Sequence, residues 1–393
     1  MINANKKSIA VLMYMLIALG GVVVDIVVPS LPSIQSAFST TEVTTQWAFS
    51  AAIFGFGTGQ IIAGFIVDAF GRKRPMVIGG IALSASLMLS ITSSNIYALI
   101  IIRLFEGIAV SFIAVGGRAA IKDMYHGVEY LKAVNWITIS FAMGITFSPF
   151  VGGYIEEHFG WKMVFVFLGC WTLVGTLLLT RLFDETHTET RPLSGENIKA
   201  SLVEILLNRS FQKVALICGI FYSILPAFNT VAPFLIQNTL GYSPVFYGYI
   251  ALLLGACWLA GNFINRVTFN LQLKVKVCFS LTLSLLAIAF GVTYQVLFGL
   301  NLIAFVIPVS IVICSLGLLF PLFLGKALSP FGHMAGIANA LVFSGCWLAT
   351  AAISFIASFL SSSTAIPTMV LYAILLTVVV LLSTFEKNTP SPC

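Results

Sequence analysis

The sequence predicts an all-α membrane protein of twelve transmembrane helices in two six-helix halves. Three observations predict it. Hydrophobic residues make up 59% of the 393 residues and charged residues 9%, where a soluble domain carries about 25% charged. So few charges cannot cover a water-facing surface, so lipid must cover much of the chain. Apolar runs of spanning length, roughly 20 residues, recur twelve times, near 8–28, 46–68, 75–93, 96–117, 132–154, 162–182, 212–236, 245–264, 275–293, 299–324, 334–359 and 366–384. Finally, lysine and arginine mark alternate connections. With the N-terminus in the cytoplasm, 18 of the 20 fall on the inner side, as the positive-inside rule requires. Lys162 falls outside and Arg103 lies within a span.

The first span, IAVLMYMLIALGGVVVDIVV, follows Lys6 and Lys7. It is too long for the apolar core of a secretory leader, and no small-residue cleavage pattern follows it, so it reads as an uncleaved helix. Connections are short until residues 183–211, a polar stretch that reads as a loop followed by a surface helix from about Gly195. That cytoplasmic linker divides the chain into bundles over 1–182 and 212–393, with both termini cytoplasmic.

Seven cysteines, six of them single within apolar runs and one at the end, form no disulfide or metal pattern and read as small packing residues. The formal charge of +6 belongs to topology, since no basic stripe with interleaved aromatics suggests nucleic acid. No serine-elbow, zinc-helix or phosphate-loop motif points to an enzyme, and no cofactor or metal is implied. The four histidines read as loop residues.

Between spans two and three lies GFIVDAFGRKRP, Gly64–Pro75. Topology explains its cations. It does not explain Asp68 at the helix end, Gly71 at a tight turn, or Gly64, which permits close helix approach. The pattern Gly64, Asp68, Gly71, Arg72, Lys73, Arg74 resembles the loop signature of the major facilitator superfamily. In that family the cluster is a cytoplasmic latch favouring the outward-open state. Ala69 stands where many members carry arginine, and the matching segment GNFINRVTFN keeps only Gly261 and Arg266, so the resemblance implies a one-sided latch.

Further matches follow in chain order. LIIIRLFEGIAVS resembles the family's fourth-span motif, with Arg103 and Gly107 retained and Glu106 in place of the usual glutamine. GITFSPFVGG resembles the fifth-span antiporter motif, with Gly144, Pro149, Gly152 and Gly153 kept and Ser148 where glycine is usual. DIVVPSLP, GRAAIKDMY and GWKMVF resemble the bicyclomycin-resistance branch of drug/proton antiporters. The resemblance implies a proton-coupled exporter of small amphipathic molecules such as drugs, working by alternating access, as a monomer, in a bacterial inner membrane. The alternative is an exporter or importer (symporter) of a specific metabolite such as a siderophore.

The residues themselves point the same way. A charge at a helix centre costs about 2.5–3.5 kcal/mol on insertion scales, and the first bundle carries three such groups: Asp25, Arg103 and Glu106. Asp25 reads either as an interfacial acid or as a proton-carrying carboxylate facing a central cavity. Arg103 cannot usefully deprotonate; it holds negative charge or bonds neighbouring carbonyls. Glu106 lies three positions on, on the same helix face, and either pairs with Arg103 or titrates. The second bundle has no comparable group, so coupling by protonation resides in the first. Pro149 bends its helix, and the glycines around it allow tight packing. In the second bundle Tyr222, Asn229, Asn339 and Trp347 are the candidates for a substrate cavity walled by aromatics and amides.

Overall fold

A computed structural model describes residues 2–186 and 203–384. Besides a short helical stretch at 203–207, the described chain runs through α1 (Ile2–Asp25), α2 (Leu31–Phe38), α3 (Glu42–Phe70), α4 (Lys73–Ile91), α5 (Ile96–Met124), α6 (Gly127–Phe159), α7 (Trp161–Leu182), α8 (Arg209–Pro233), α9 (Pro244–Val267), α10 (Leu273–Phe298), α11 (Leu302–Leu328), α12 (Ala335–Ala357) and α13 (Ile366–Thr384). Among the described residues, twelve helical segments are long and apolar enough to cross a membrane; α1 and α2 form one of them together. The surface helix expected from Gly195 lies outside the described residues until 203, and residues 203–207 are helical.

Polar residues placed between apolar runs set the helix starts. The side chains of Asn95, Asn208 and Asn301 accept the backbone N–H of Ala98, Phe211 and Ala304, and Thr41 accepts that of Thr44. Each satisfies a donor that the first helical turn leaves open. Gly71, Gly160 and Gly299 end α3, α6 and α10 at φ +86°, +81° and +79°, a region glycine enters without steric cost. α8 holds Pro226 within it, ends at Pro233, and passes into a π-helical turn over Phe234–Thr239.

The described chain divides into two compact units. The first comprises Met1–Ala200 with Ile236–Leu252, and the second Ser201–Leu235 with Leu253–Cys393. In the first, α5 is central. It packs on α1, α3 and α4, and α4 packs in turn on α7. Glycine lets these backbones touch. A methyl group at Gly55 would strike the carbonyl oxygen of Leu104, and one at Gly107 that of Ala52. α6 lies on α1, where Gly144 meets Ala18 and Gly152 meets the Ile26 carbonyl. In the second unit α8 packs on α11, α12 and α13, and α10 packs on α11 and α13. Gly261 of α9 meets the Cys314 carbonyl of α11, and Gly317 of α11 meets the Trp258 carbonyl of α9.

Two expectations change. Gly64 has no neighbouring atom within reach of an added methyl, so it permits no close helix approach; Gly55 and Gly59, higher on the same helix, do that work. His158 is not a loop residue. It occupies the last turn of α6, with Nδ1 2.9 Å from the Tyr154 carbonyl oxygen.

Candidate functional site: a buried ion pair and a loop latch

Arg103 and Glu106 lie one turn apart on α5 and are buried to 1% and 0% exposure. Their ion pair is 2.6 Å long. The network extends to three other helices. Ser90 of α4 donates to the second Glu106 carboxylate oxygen at 2.7 Å. Arg103 Nη2 donates to the Val23 carbonyl of α1 at 3.0 Å, and the guanidinium stands 5.9 Å from the centroid of the Phe165 ring on α7. Asp25, two residues beyond Val23, ends α1 at 5% exposure. A small cavity beside the guanidinium is walled by Val27, Phe49, Leu99 and Phe165.

The pairing of Arg103 with Glu106 and its bond to a neighbouring helix carbonyl, set out above as alternatives to coupling, are both present. They do not make the site inert. An ion pair removed from water recovers its desolvation cost only while both partners and their hydrogen bonds remain in place. Protonating Glu106, or drawing Arg103 toward another anion, would unbalance contacts to α1, α4 and α7 together.

At the far end of α3 the residues expected to form a latch converge on Arg72, 7% exposed. Its Nη1 donates to Asp68 at 2.7 Å and to the Val67 carbonyl at 2.8 Å, and its Nε to Asp123 of α5 at 2.9 Å. Glu185, beyond the end of α7, accepts the backbone N–H groups of Arg72 and Lys73 at 2.8 and 3.0 Å. It thereby satisfies open donors at the start of α4, where the helix dipole favours a carboxylate. Gly71 makes room for it: a side chain there would meet the Glu185 carboxylate. Thr186 closes the ring by donating to Asp123 at 3.1 Å. Arg72, Asp68 and Gly71 are brought together. The side chains of Lys73 and Arg74 make no hydrogen bond or ion pair among the described residues, and Arg74 is exposed.

Sequence reasoning missed Asp123 and Glu185. Asp123 lies in the last turn of α5, within the segment GRAAIKDMY, and Glu185 follows the sixth span; the signal of both was an acid on the side crowded with cations. It missed Ser90 as well, since a serine near a helix end carries no distinguishing pattern.

On α6, Gly152 and Gly153 press on the Ile26 and Pro244 carbonyls, and Ser148 and Pro149 are buried beside them. In the second unit the Tyr222 ring lies 5.3 Å from Trp347 and 5.8 Å from Phe320, and Phe320 lies 5.7 Å from Trp258. Asn229 is 3% exposed on the same helix as Tyr222; Asn339 is exposed and joins no such cluster. Among the described residues, no group of three or more His, Cys, Asp or Glu could hold a metal ion.

Residues 11–354 match the sequence profile of the Major Facilitator Superfamily. An uncharacterized transporter of Rickettsia bellii is 30% identical over 353 residues, 85% of each chain. Multidrug resistance protein D of Escherichia coli is 22% identical over 346 residues, covering 86% of this chain and 85% of its own. The crystal structure of a D-xylose-proton symporter superposes with a TM-score of 0.76 over 98% of each chain at 17% identity, a likeness of fold. The twelve apolar helices, the glycine-packed spans and a profile match across most of the chain agree: this integral, multi-pass membrane protein belongs to the Major Facilitator Superfamily and is a transporter of that family.

Proposed function

We propose that the protein is a proton-coupled antiporter that exports small amphipathic molecules, drugs among them, by alternating access. It works as a monomer in a bacterial inner membrane with both termini cytoplasmic, and belongs to the bicyclomycin-resistance-like branch. The observation that carries this reading is the buried Arg103–Glu106–Ser90 network, tied to α1 two residues before Asp25. A chain that needed only to pack would not retain such groups in hydrocarbon, where each costs about 2.5–3.5 kcal/mol. Similarity to Multidrug resistance protein D supports export, and the aromatic set around Tyr222 and Trp347 suits apolar, cationic molecules through their ring faces.

Glu106 and Asp25 carry the proton in this scheme, and Arg103 holds whichever carboxylate is ionised. The voltage contributes about 2.3 kcal/mol per charge moved through 100 mV. The Asp68–Arg72–Asp123–Glu185 ring is the cytoplasmic latch. A symporter reading is favoured by one observation: Ser148 stands where the antiporter pattern has glycine.

The test is proton flux driven by an ethidium gradient in proteoliposomes. Wild type should move protons against ethidium, Arg103→Ala should not, and Asp25→Asn and Glu106→Gln should each lower coupled flux. If both carboxylate variants couple like wild type, the site assignment is wrong. Uphill ethidium efflux that survives a protonophore would eliminate proton drive, and co-directional flux would select symport.

A further inference from the structure

Glu156 is a third buried carboxylate of the first unit, beside Asp25 and Glu106, and takes no part in the network above. It lies on α6, one turn past Gly152, which is pressed against the Ile26 carbonyl just after the end of α1. It is 7% exposed, and its Oε2 has no geometric hydrogen-bond partner among the described residues. Two hydroxyls, Ser30 and Ser33, face the carboxyl. Ser30 is fully buried, and its Oγ likewise has no geometric hydrogen-bond partner among the described residues. It occupies the N-cap position of α2 yet makes no cap bond, although a capping serine ordinarily contributes about 1 kcal/mol. Ser33 is half-buried and opens the cluster toward the surface.

Other charges nearby are otherwise engaged. Glu157 accepts the backbone N–H of Val245 at 3.1 Å. His158 is held by the Tyr154 carbonyl, and Lys162 at the start of α7 lies 5.6 Å from the centroid of the Trp161 ring. Asp25 ends α1, the helix against which α6 packs. No cation pairs with Glu156 among the described residues. An ionised carboxylate accepts hydrogen bonds only, whereas the protonated acid also donates one. The Ser30 and Ser33 hydroxyls can donate to the ionised carboxylate and can accept from the protonated acid, so this buried cluster, with no cation paired to it among the described residues, accommodates Glu156 with or without its proton.

We infer that Glu156, with Ser30 and Ser33, is a proton-loading station where α1 and α6 meet, feeding the buried groups of the first unit. The inference rests on the proton-coupled reading above. A hydronium ion gives its proton to one carboxylate oxygen and leaves as water, the negative charge disappears, and the new O–H can donate to the Ser30 oxygen. On release that O–H bond breaks, leaving its electron pair on the carboxylate, and the proton passes to water or to the Asp25 carboxylate. Two hydroxyls and one carboxylate are too few oxygens for a hard metal cation, which takes about six or more.

The test is infrared difference spectroscopy of the purified protein in nanodiscs, titrated over roughly the range from carboxylate to tyrosine ionisation. Wild type should show a protonated-carboxyl band that Glu156→Gln removes, while any bands of Asp25 and Glu106 remain. The Ser30→Ala, Ser33→Ala double variant, which keeps the acid, should move that band's midpoint by about one pH unit or more, a tenfold change in proton affinity. A spectrum unchanged by Glu156→Gln at every pH overturns the inference. So does a band that answers to sodium replacing choline at fixed pH, which would make this a cation site. If Glu156→Gln does not fold, a midpoint unmoved in the serine variant overturns it alone. Ethidium-driven proton flux in the same preparations separates the two readings. Flux with an unchanged spectrum refutes the station and leaves coupling. A lost band in a protein whose wild type shows no flux refutes coupling and leaves the station.

Discussion

The crossing of α3 with α5 and the crossing of α9 with α11 use the same backbone contact and differ in what they bury. In the first, Gly55 meets the carbonyl of Leu104 and Gly107 that of Ala52; in the second, Gly261 meets Cys314 and Gly317 meets Trp258. Each glycine touches the residue three positions before its partner glycine, so the two crossings share one register. In that register Arg103 and Glu106 correspond to Ile313 and Leu316, both buried to 1% or less. The close approach of two helices thus requires glycine and does not require the ion pair. What the first unit adds to the shared packing is charge, and that charge is the part a packing argument leaves unexplained.

The comparison can be broken most directly by exchanging residues between the units. Arg103→Ile alone leaves Glu106 buried without its cation and should lower stability by about 3–5 kcal/mol, read as a fall in unfolding midpoint. Arg103→Ile with Glu106→Leu, the residues the second unit uses, should return stability close to wild type while proton-coupled flux stays absent. A double variant as unstable as the single one would make the ions structural.

Next in size are the glycines. Gly107→Val and Gly317→Val should each cost about 1–3 kcal/mol through overpacking, and by similar amounts. A cost confined to one unit would refute the shared register.

The latch sharpens the contrast further, because the second unit keeps only a weaker counterpart. There Lys276 donates to the Asn265 side chain at 2.9 Å. Removing the carboxylate in Glu185→Ala should cost about 1 kcal/mol, the usual worth of a helix cap, and should speed amide exchange at the start of α4. The smallest effect belongs to Arg74→Ala. Its exposed side chain is engaged with nothing in the described chain, so its stability should stay within about 0.5 kcal/mol of wild type. A larger loss would mean that all three cations of the loop act together.

Much of the first unit was legible in the sequence for a simple reason. In an apolar chain every charge is conspicuous, so Asp25, Arg103, Glu106 and the cluster at Asp68–Arg74 stood out. Glycine was less legible. Gly64 and Gly55 lie on one helix nine positions apart, and only the neighbour opposite decides which is a contact. Gly64 faces open space and Gly55 faces a carbonyl. The same holds for Glu185 and Glu156. Both are acids at span ends, where solvated charge is ordinary, and nothing local distinguishes the one that caps α4 from the one buried against Ser30.

By itself the sequence determined the environment, the number of spans and the half of the chain that carries ionisable groups, because hydropathy and charge are properties of residues counted along a line. Which carboxylate meets which donor was decided only in three dimensions. Arg103 was equally able to hold Asp25, Glu106 or a carbonyl. Helix spacing put Glu106 within its reach, and the packing of α1 and α4 on α5 added the Val23 carbonyl to the arginine and the Ser90 hydroxyl to the glutamate.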